Sequence, residues 1–178
     1  RILCVADNLP SARRGLLLAE AYPQLRVTAG IHPHRAQEAQ EADFIELERL
    51  AASGQIVAIG EMGLDFHYDF SPREVQYEVF RRQLHIAKAA RLPIILHSRA
   101  AEHEVLQVLA DEGADEIGGV MHCFWGDTEA LHTTLDLGFY VGVGGPVTFK
   151  SAEALRTQLR SVPLERILLE TDAPYLAP

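Results

Sequence analysis

The sequence predicts a parallel α/β fold, with an incomplete (β/α)8 TIM-like barrel as the leading architecture and seven of its eight strands present. Three observations predict it. Short β-prone apolar runs recur along the chain; helical patterns separate them; and the runs are continuous rather than alternating, as in parallel strands covered on both faces.

The elements follow in order. The run Ile2–Ala6 precedes a helix near Ser11–Ala21, and Leu25–Ile31 precedes a helix near Phe44–Ala52. The run Ile56–Gly60 precedes the clearest helix, which opens at Ser71-Pro72-Arg73-Glu74. Ser71 reads as its cap, Pro72 as its first residue and Glu74 as the return half of a capping box. Val75, Val79, Phe80, Leu84 and Ala87 then recur at helical spacing as one apolar stripe. Pro93 limits this helix and opens the run Pro93–Leu96. A helix over Ala101–Asp111 stops at Gly113. The run Gly119–Met121, a helix at Thr128–Leu137, the run Phe139–Val143, a helix at Ala152–Arg160 and the run Ile167–Leu169 complete the series.

A barrel of this kind takes about 250 residues. This chain has 178, short by one strand and one or more helices. The competing architecture is an open doubly wound sheet, but the first glycine-rich turns do not follow the dinucleotide fingerprint. A hydrophobic content of 48% suits a single domain over residues 1–178, truncated at both ends. No apolar stretch reaches membrane-spanning length, so no membrane association is expected. The start, Arg1-Ile2-Leu3-Cys4-Val5-Ala6, lacks the pattern of a signal peptide. Cys4 and Cys123 make no disulfide framework, which points to a reducing cytoplasm. The net charge of −9 argues against coating or packaging nucleic acid. It allows a nuclease whose contact is short, local and assisted by metal.

Chemistry-bearing side chains sit where the strands end. Glu61 follows Ile56–Gly60, His97 follows Pro93–Leu96, His122 follows Gly119–Met121, and Asp172 comes just after Ile167–Leu169. His32 and His34 follow Leu25–Ile31. In a barrel the C-terminal ends of the strands converge on one face, so topology gathers these residues. Imidazole and carboxylate ligands suit zinc, manganese or iron, and a carboxylate-rich set accepts magnesium. Glu61 is the natural bridge between two cations, a pair of which can activate water. Asp172 could take that water's proton. Taken singly, each has a plainer reading: a hydrogen-bonded histidine, a capping glutamate, a turn aspartate before Pro174. Shared placement favours the metal. His32-Pro33-His34 is balanced between gripping a metal and forming a loop stiffened by Pro33.

The motifs resemble the TatD family of metal-dependent deoxyribonucleases, a branch of the amidohydrolase-like barrels. The matching segments are Gly30-Ile31-His32-Pro33-His34, Gly60-Glu61-Met62-Gly63-Leu64-Asp65, Leu96-His97-Ser98-Arg99, His122-Cys123-Phe124-Trp125-Gly126 and Leu169-Glu170-Thr171-Asp172-Ala173-Pro174, in family order. The resemblance implies two divalent metal ions, magnesium, manganese or zinc. Glu61 would be the bridging ligand, and His97 and His122 ligands of one ion. Asp172 would be a ligand of the other and the proton acceptor. His32 would lie near the substrate phosphate, away from the primary metal pair. The implied substrate is DNA, single-stranded or at its ends, with no stable protein partner.

The family's first strand carries a His-x-His pair that this sequence lacks, and its last loop and helix are also missing after Pro178. Either the chain is a portion of a longer protein or the protein is naturally truncated. The unpaired sheet edges favour the first, and predict poor solubility or oligomerisation for the isolated chain.

Other residues carry open alternatives. Arg99 suits a phosphate oxygen or a surface salt bridge. Phe66, His67, Tyr68 and Phe70 could stack bases or pack a lid or helix, and Trp125 has the same choice. Cys123 is expected to point away from the side of His122, since neighbours alternate in extended chain. Gly142, Gly144 and Gly145 read as a close-approach turn leaving room above the site. Lys150 could reach a phosphate or face solvent. The leading function is metal-dependent phosphodiester hydrolysis, most of all of DNA. The rivals are amide, ester or lactone hydrolysis at the same site, and a degenerate, non-catalytic barrel scaffold.

Overall fold

The computed structural model describes residues 1–68 and 70–177. Its seven strands form one parallel sheet in sequential order, β1 to β7. They are β1 (Ile2–Cys4), β2 (Leu25–Ala29), β3 (Ala58–Asp65), β4 (Ile94–Arg99), β5 (Gly119–Met121), β6 (Tyr140–Val143) and β7 (Ile167–Leu169). Between them run α1 (Leu9–Ala21), α2 (Glu41–Ser53), α3 (Arg73–Ala90), α4 (Glu102–Asp111), α5 (Thr128–Asp136) and α6 (Glu153–Leu159). A doubly wound sheet reverses its strand order at a switch point; this one never does. The fold is an incomplete (β/α) barrel, with β1 and β7 at its two edges among the described residues.

Caps set the helix starts earlier than apolar periodicity alone suggests. Asn8 Oδ1 accepts from the Ser11 amide at 2.8 Å, and the Ser11 hydroxyl accepts from the Asn8 amide, so α1 begins at Leu9. Asp43 accepts from the Gln40 amide at 2.8 Å, which moves the start of α2 to Glu41. Asp127 caps α5 through the Ala130 amide, and this helix begins at Thr128, as the sequence predicts.

The capping box expected at Ser71 is absent. Pro72 occupies the cap position of α3 without a side-chain bond. The Ser71 hydroxyl accepts instead from the Gln37 amide at 3.1 Å and donates to the His34 carbonyl at 3.2 Å. It ties the 3-10 turn at Pro33–Glu38 to the start of α3. The predicted stripe of α3 does face inward: Val79, Phe80, Leu84 and Ala87 are buried, with Val75 packed against them.

Two strands run further than the sequence suggests. β3 continues through Glu61 to Asp65, and β4 through His97 to Arg99. Gly60 and Gly63, both at positive φ, make β3 read as though it ended early. Its register on β4 shifts between Ile59 and Met62, then resumes with Gly63 opposite His97 and Asp65 opposite Arg99. Gly63 is required here: its φ is +144°, and a Cβ would overlap the His97 carbonyl oxygen.

Candidate metal centre

Helix α3 positions two strand ends with buried glutamines seven residues apart. Gln83 accepts from the Ile31 amide at 2.7 Å and donates to the Ile31 carbonyl at 3.0 Å, fixing the backbone just before His32. Gln76 accepts from the Asp65 amide at 2.8 Å and donates to the Asp65 carbonyl at 3.1 Å. Glu61 is held from the other side, its amide donating to the Ala6 carbonyl at 2.9 Å.

The structure brings Glu61, His97, His122, Asp172 and His32 together. Glu61 Oε1 lies 2.9 Å from His97 Nδ1, 3.6 Å from His32 Nε2 and 3.7 Å from His122 Nε2. His122 Nε2 lies 3.9 Å from Asp172 Oδ1. Two ligands each bound at about 2.0–2.1 Å to a tetrahedral ion are roughly 3.4 Å apart. The observed spacings bracket that value, so the donor set fits a divalent ion. Ligand atoms of His32, His34 and His97 also lie within 4.8 Å of one another. His32 thus stands among the donor atoms, only 3.2 Å from His97 Nδ1. The far side of the imidazole set opens into a cavity of about 1100 Å³, which Arg99 also lines.

Two further carboxylates, assigned no role from sequence, complete the arrangement. Asp65 Oδ2 is 3.1 Å from His97 Nε2 and 2.6 Å from His34 Nε2, while Oδ1 accepts from the amides of His67 and Tyr68. Its fully buried charge is therefore satisfied on both oxygens. Glu170 Oε2 is 3.0 Å from His122 Nδ1, and Oε1 accepts from the Cys123 amide at 2.6 Å. Metal-ligating histidines characteristically engage such a carboxylate through their other ring nitrogen, which fixes tautomer and orientation. Both His97 and His122 have one. Alternation along β3 carried the sequence clue to Asp65: residues 61, 63 and 65 share one strand face.

Glycine opens the space for Glu170. A Cβ on Gly142 would lie 2.6 Å from Glu170 Oε2, too close for a side chain, so this glycine admits the carboxylate beside the site. Cys123 has φ +45°, left-handed rather than extended, so the alternation argued from extended chain does not hold there. Phe66 packs against Tyr77, with Arg73 over its ring at 4.2 Å, whereas Tyr68 and Phe70 line the cavity. Trp125 is exposed.

The charges are strongly coupled. Burial would raise the Glu61 carboxyl, but His32 and His97 override it and hold it well below the usual range. Burial opposes protonation of His97, yet Asp65 and Glu61 raise it to about 9. His122 is also raised, Glu170 and Glu61 outweighing its burial. Asp172 is raised, first by burial and then by Glu61 and Glu170, against the opposing His122. Burial and the same carboxylates push the Cys123 thiol up to about 12. His32 is lowered, mainly by burial.

A parallel barrel with an imidazole–carboxylate centre at its strand ends defines a class, the metal-dependent hydrolases. Comparison with known proteins gives the family: residues 1–178 match the model for TatD related DNase, and the chain belongs to that family. It is 42% identical over 178 residues to an uncharacterized metal-dependent hydrolase, YabD, of Bacillus subtilis (strain 168), covering all of this chain and 70% of the relative. It is 38% identical over 179 residues to the 3'-5' ssDNA/RNA exonuclease TatD of Salmonella typhimurium (strain LT2), covering 99% of this chain and 68% of that one. The crystal structure of YJJV, a TatD homologue from Escherichia coli K12, superposes with a TM-score of 0.92 at 32% identity, over 99% of this chain and 68% of that one. The chain is a metal-dependent hydrolase by family. No helix among the described residues is long and apolar enough to cross a membrane.

Proposed function

We propose that this chain forms the greater part of a cytoplasmic nuclease that hydrolyses phosphodiester bonds in single-stranded nucleic acid, DNA above all, working at or near ends. One observation carries the reading: Glu61 Oε1 sits between imidazole nitrogens of His97 and His122, each backed by its own buried or half-buried carboxylate. Two divalent ions held there would supply Lewis-acid activation of water and of a phosphate oxygen. Glu61 would be the ligand shared between them, His97 and His122 would hold one, and Asp172 would belong to the other.

The residues' own tasks follow from the geometry. Asp172 lies at the cavity wall with a carboxyl raised by burial, which suits it to take a proton from the attacking water. His32 and Arg99 line the same cavity and serve as phosphate contacts. Asp65 and Glu170 hold the histidines in place. The two free cysteines accord with a reducing compartment.

The test is hydrolysis of single-stranded oligonucleotides with magnesium, manganese or zinc, beside a panel of carboxyl esters and lactones, for the natural protein and Glu61→Ala. Metal-dependent phosphodiester cleavage that disappears in Glu61→Ala is expected. Unchanged cleavage in that variant, or turnover of esters alone, overturns the reading.

A further inference from the structure

We infer that Tyr68 and Phe70 form a stacking platform for one unpaired nucleobase, set beside the metal centre and held in place by the same aspartate that orients His97. This rests on the phosphodiesterase reading and specifies how the substrate is gripped.

The two rings are almost parallel, at 2°, with centroids 5.4 Å apart. They are 43% and 54% exposed, and both line the cavity that holds Glu61, His97, His122 and Asp172. Large aromatic side chains leave water when an inward position is available. Phe66, in the same segment, has taken one. Tyr68 and Phe70 instead stay about half exposed at the mouth of the site.

The platform is preorganised. Asp65 Oδ1 accepts from the Tyr68 amide at 3.0 Å, while Oδ2 engages His97. The Phe70 carbonyl accepts from Gln37 Nε2 at 2.7 Å. The His34 ring stands nearly perpendicular to both, with centroid distances of 5.5 Å to Tyr68 and 4.8 Å to Phe70. His34 lies in turn 5.9 Å from the His97 ring. Arg99 places its guanidinium over the Tyr68 ring, 4.6 Å from the centroid, so a cation from β4 covers part of one face of the aromatic pair.

That arrangement matches one ligand chemistry. A nucleotide joins a flat π-face to an anionic phosphate through one sugar, and base–aromatic stacking tolerates any base. Aromatic rings receive a base only when its face is free, so a paired base inside a duplex is refused. An aliphatic chain gains nothing from parallel ring faces beyond its buried area.

The test is equilibrium binding of the full-length protein, without divalent ions and hence without turnover, to a short fluorescent single strand. The comparison is the same strand with abasic sugars, which keeps every phosphate. Stacking of one base predicts about 5- to 150-fold tighter binding of the base-bearing strand. In Tyr68→Ala/Phe70→Ala the preference collapses toward one. Phe70→Trp retains it, and Phe70→Leu, which preserves apolar bulk without a π-face, lowers it. Circular dichroism checks that each variant is folded. Equal binding of both strands by the natural protein overturns the platform, as does full preference in Phe70→Leu together with the double variant. Preference without metal-dependent cleavage would leave the platform standing and remove the phosphodiesterase reading. Cleavage without preference would do the reverse.

Discussion

Asp65 Oδ2 lies 3.1 Å from Nε2 of His97, on the ring edge opposite Glu61. The histidine is gripped from both sides, so its orientation is set before any metal arrives, and Asp65 fixes the proton that Nε2 keeps when an ion displaces the one on Nδ1. Asp65→Asn keeps the volume and one acceptor but replaces the charge with an amide. Metal affinity should fall about 10- to 100-fold, with the far-ultraviolet spectrum unchanged. Calorimetric titration with zinc or manganese reads this directly, and unaltered affinity would show that Asp65 serves only the loop at His67 and Tyr68.

The protonation of His97 has a definite sign. Its pKa in the folded, metal-free chain is about 9, above the ordinary 6.5. That group therefore stabilises the metal-free fold fully below pH ~6.5, and the contribution is lost as the pH rises through about 9. A metal ion must displace this proton, so metal affinity should rise about tenfold per pH unit through the neutral range. Melting temperatures in a chelator should fall from neutral to alkaline pH, and calorimetry in buffers of different ionisation enthalpy should show proton release. Metal affinity flat from pH 6 to 9 would contradict the assignment.

Much of this site is legible in the sequence because parallel topology carries strand ends to one face. Glu61, His97, His122 and Asp172 need only that rule to meet. Asp65 and Glu170 escape it for different reasons. Gly60 and Gly63 disguise the length of β3, so Asp65 looks like a loop residue five positions beyond the strand rather than a member of it. Glu170 follows β7 directly, but nothing local shows that Gly142 leaves space for its carboxylate. The cap of α3 fails for a similar reason. Ser71 has the right neighbours for a capping box, yet its hydroxyl is claimed by Gln37 and His34, over 30 residues away. Contacts between distant segments decide what local patterns leave open.

Gly63 offers a test of the strand register on which His97 depends. Gly54 and Gly63 both have positive φ, but a Cβ at Gly54 meets nothing within 4 Å, whereas at Gly63 it strikes the His97 carbonyl. Gly54→Ala should cost about 1–2 kcal/mol, the left-handed penalty alone. Gly63→Ala should cost more, about 2–4 kcal/mol, by forcing β3 and β4 apart. Urea unfolding of the two variants measures the gap. Equal losses would mean that the pairing of Gly63 with His97 is not tight.

The edges of the sheet give the last prediction. Among the described residues β1 and β7 each pair on one side only. Ile2 and Leu3 are 60% and 41% exposed, and Leu168 and Leu169 are 44% and 87% exposed. Unpaired amides and carbonyls beside apolar side chains form a template for another strand. The net charge of −9 opposes close approach of two copies, but over a screening length of about 8 Å at physiological salt it does not protect a local edge. The 178-residue chain should therefore self-associate with rising concentration and more strongly at high salt. Leu169→Lys, at a position already exposed, should weaken association without lowering the melting temperature of the monomer, because the charge enters water rather than the core. Sedimentation velocity across a concentration and salt series distinguishes the outcomes. A monodisperse monomer throughout would mean that these edges are blunted by their own geometry.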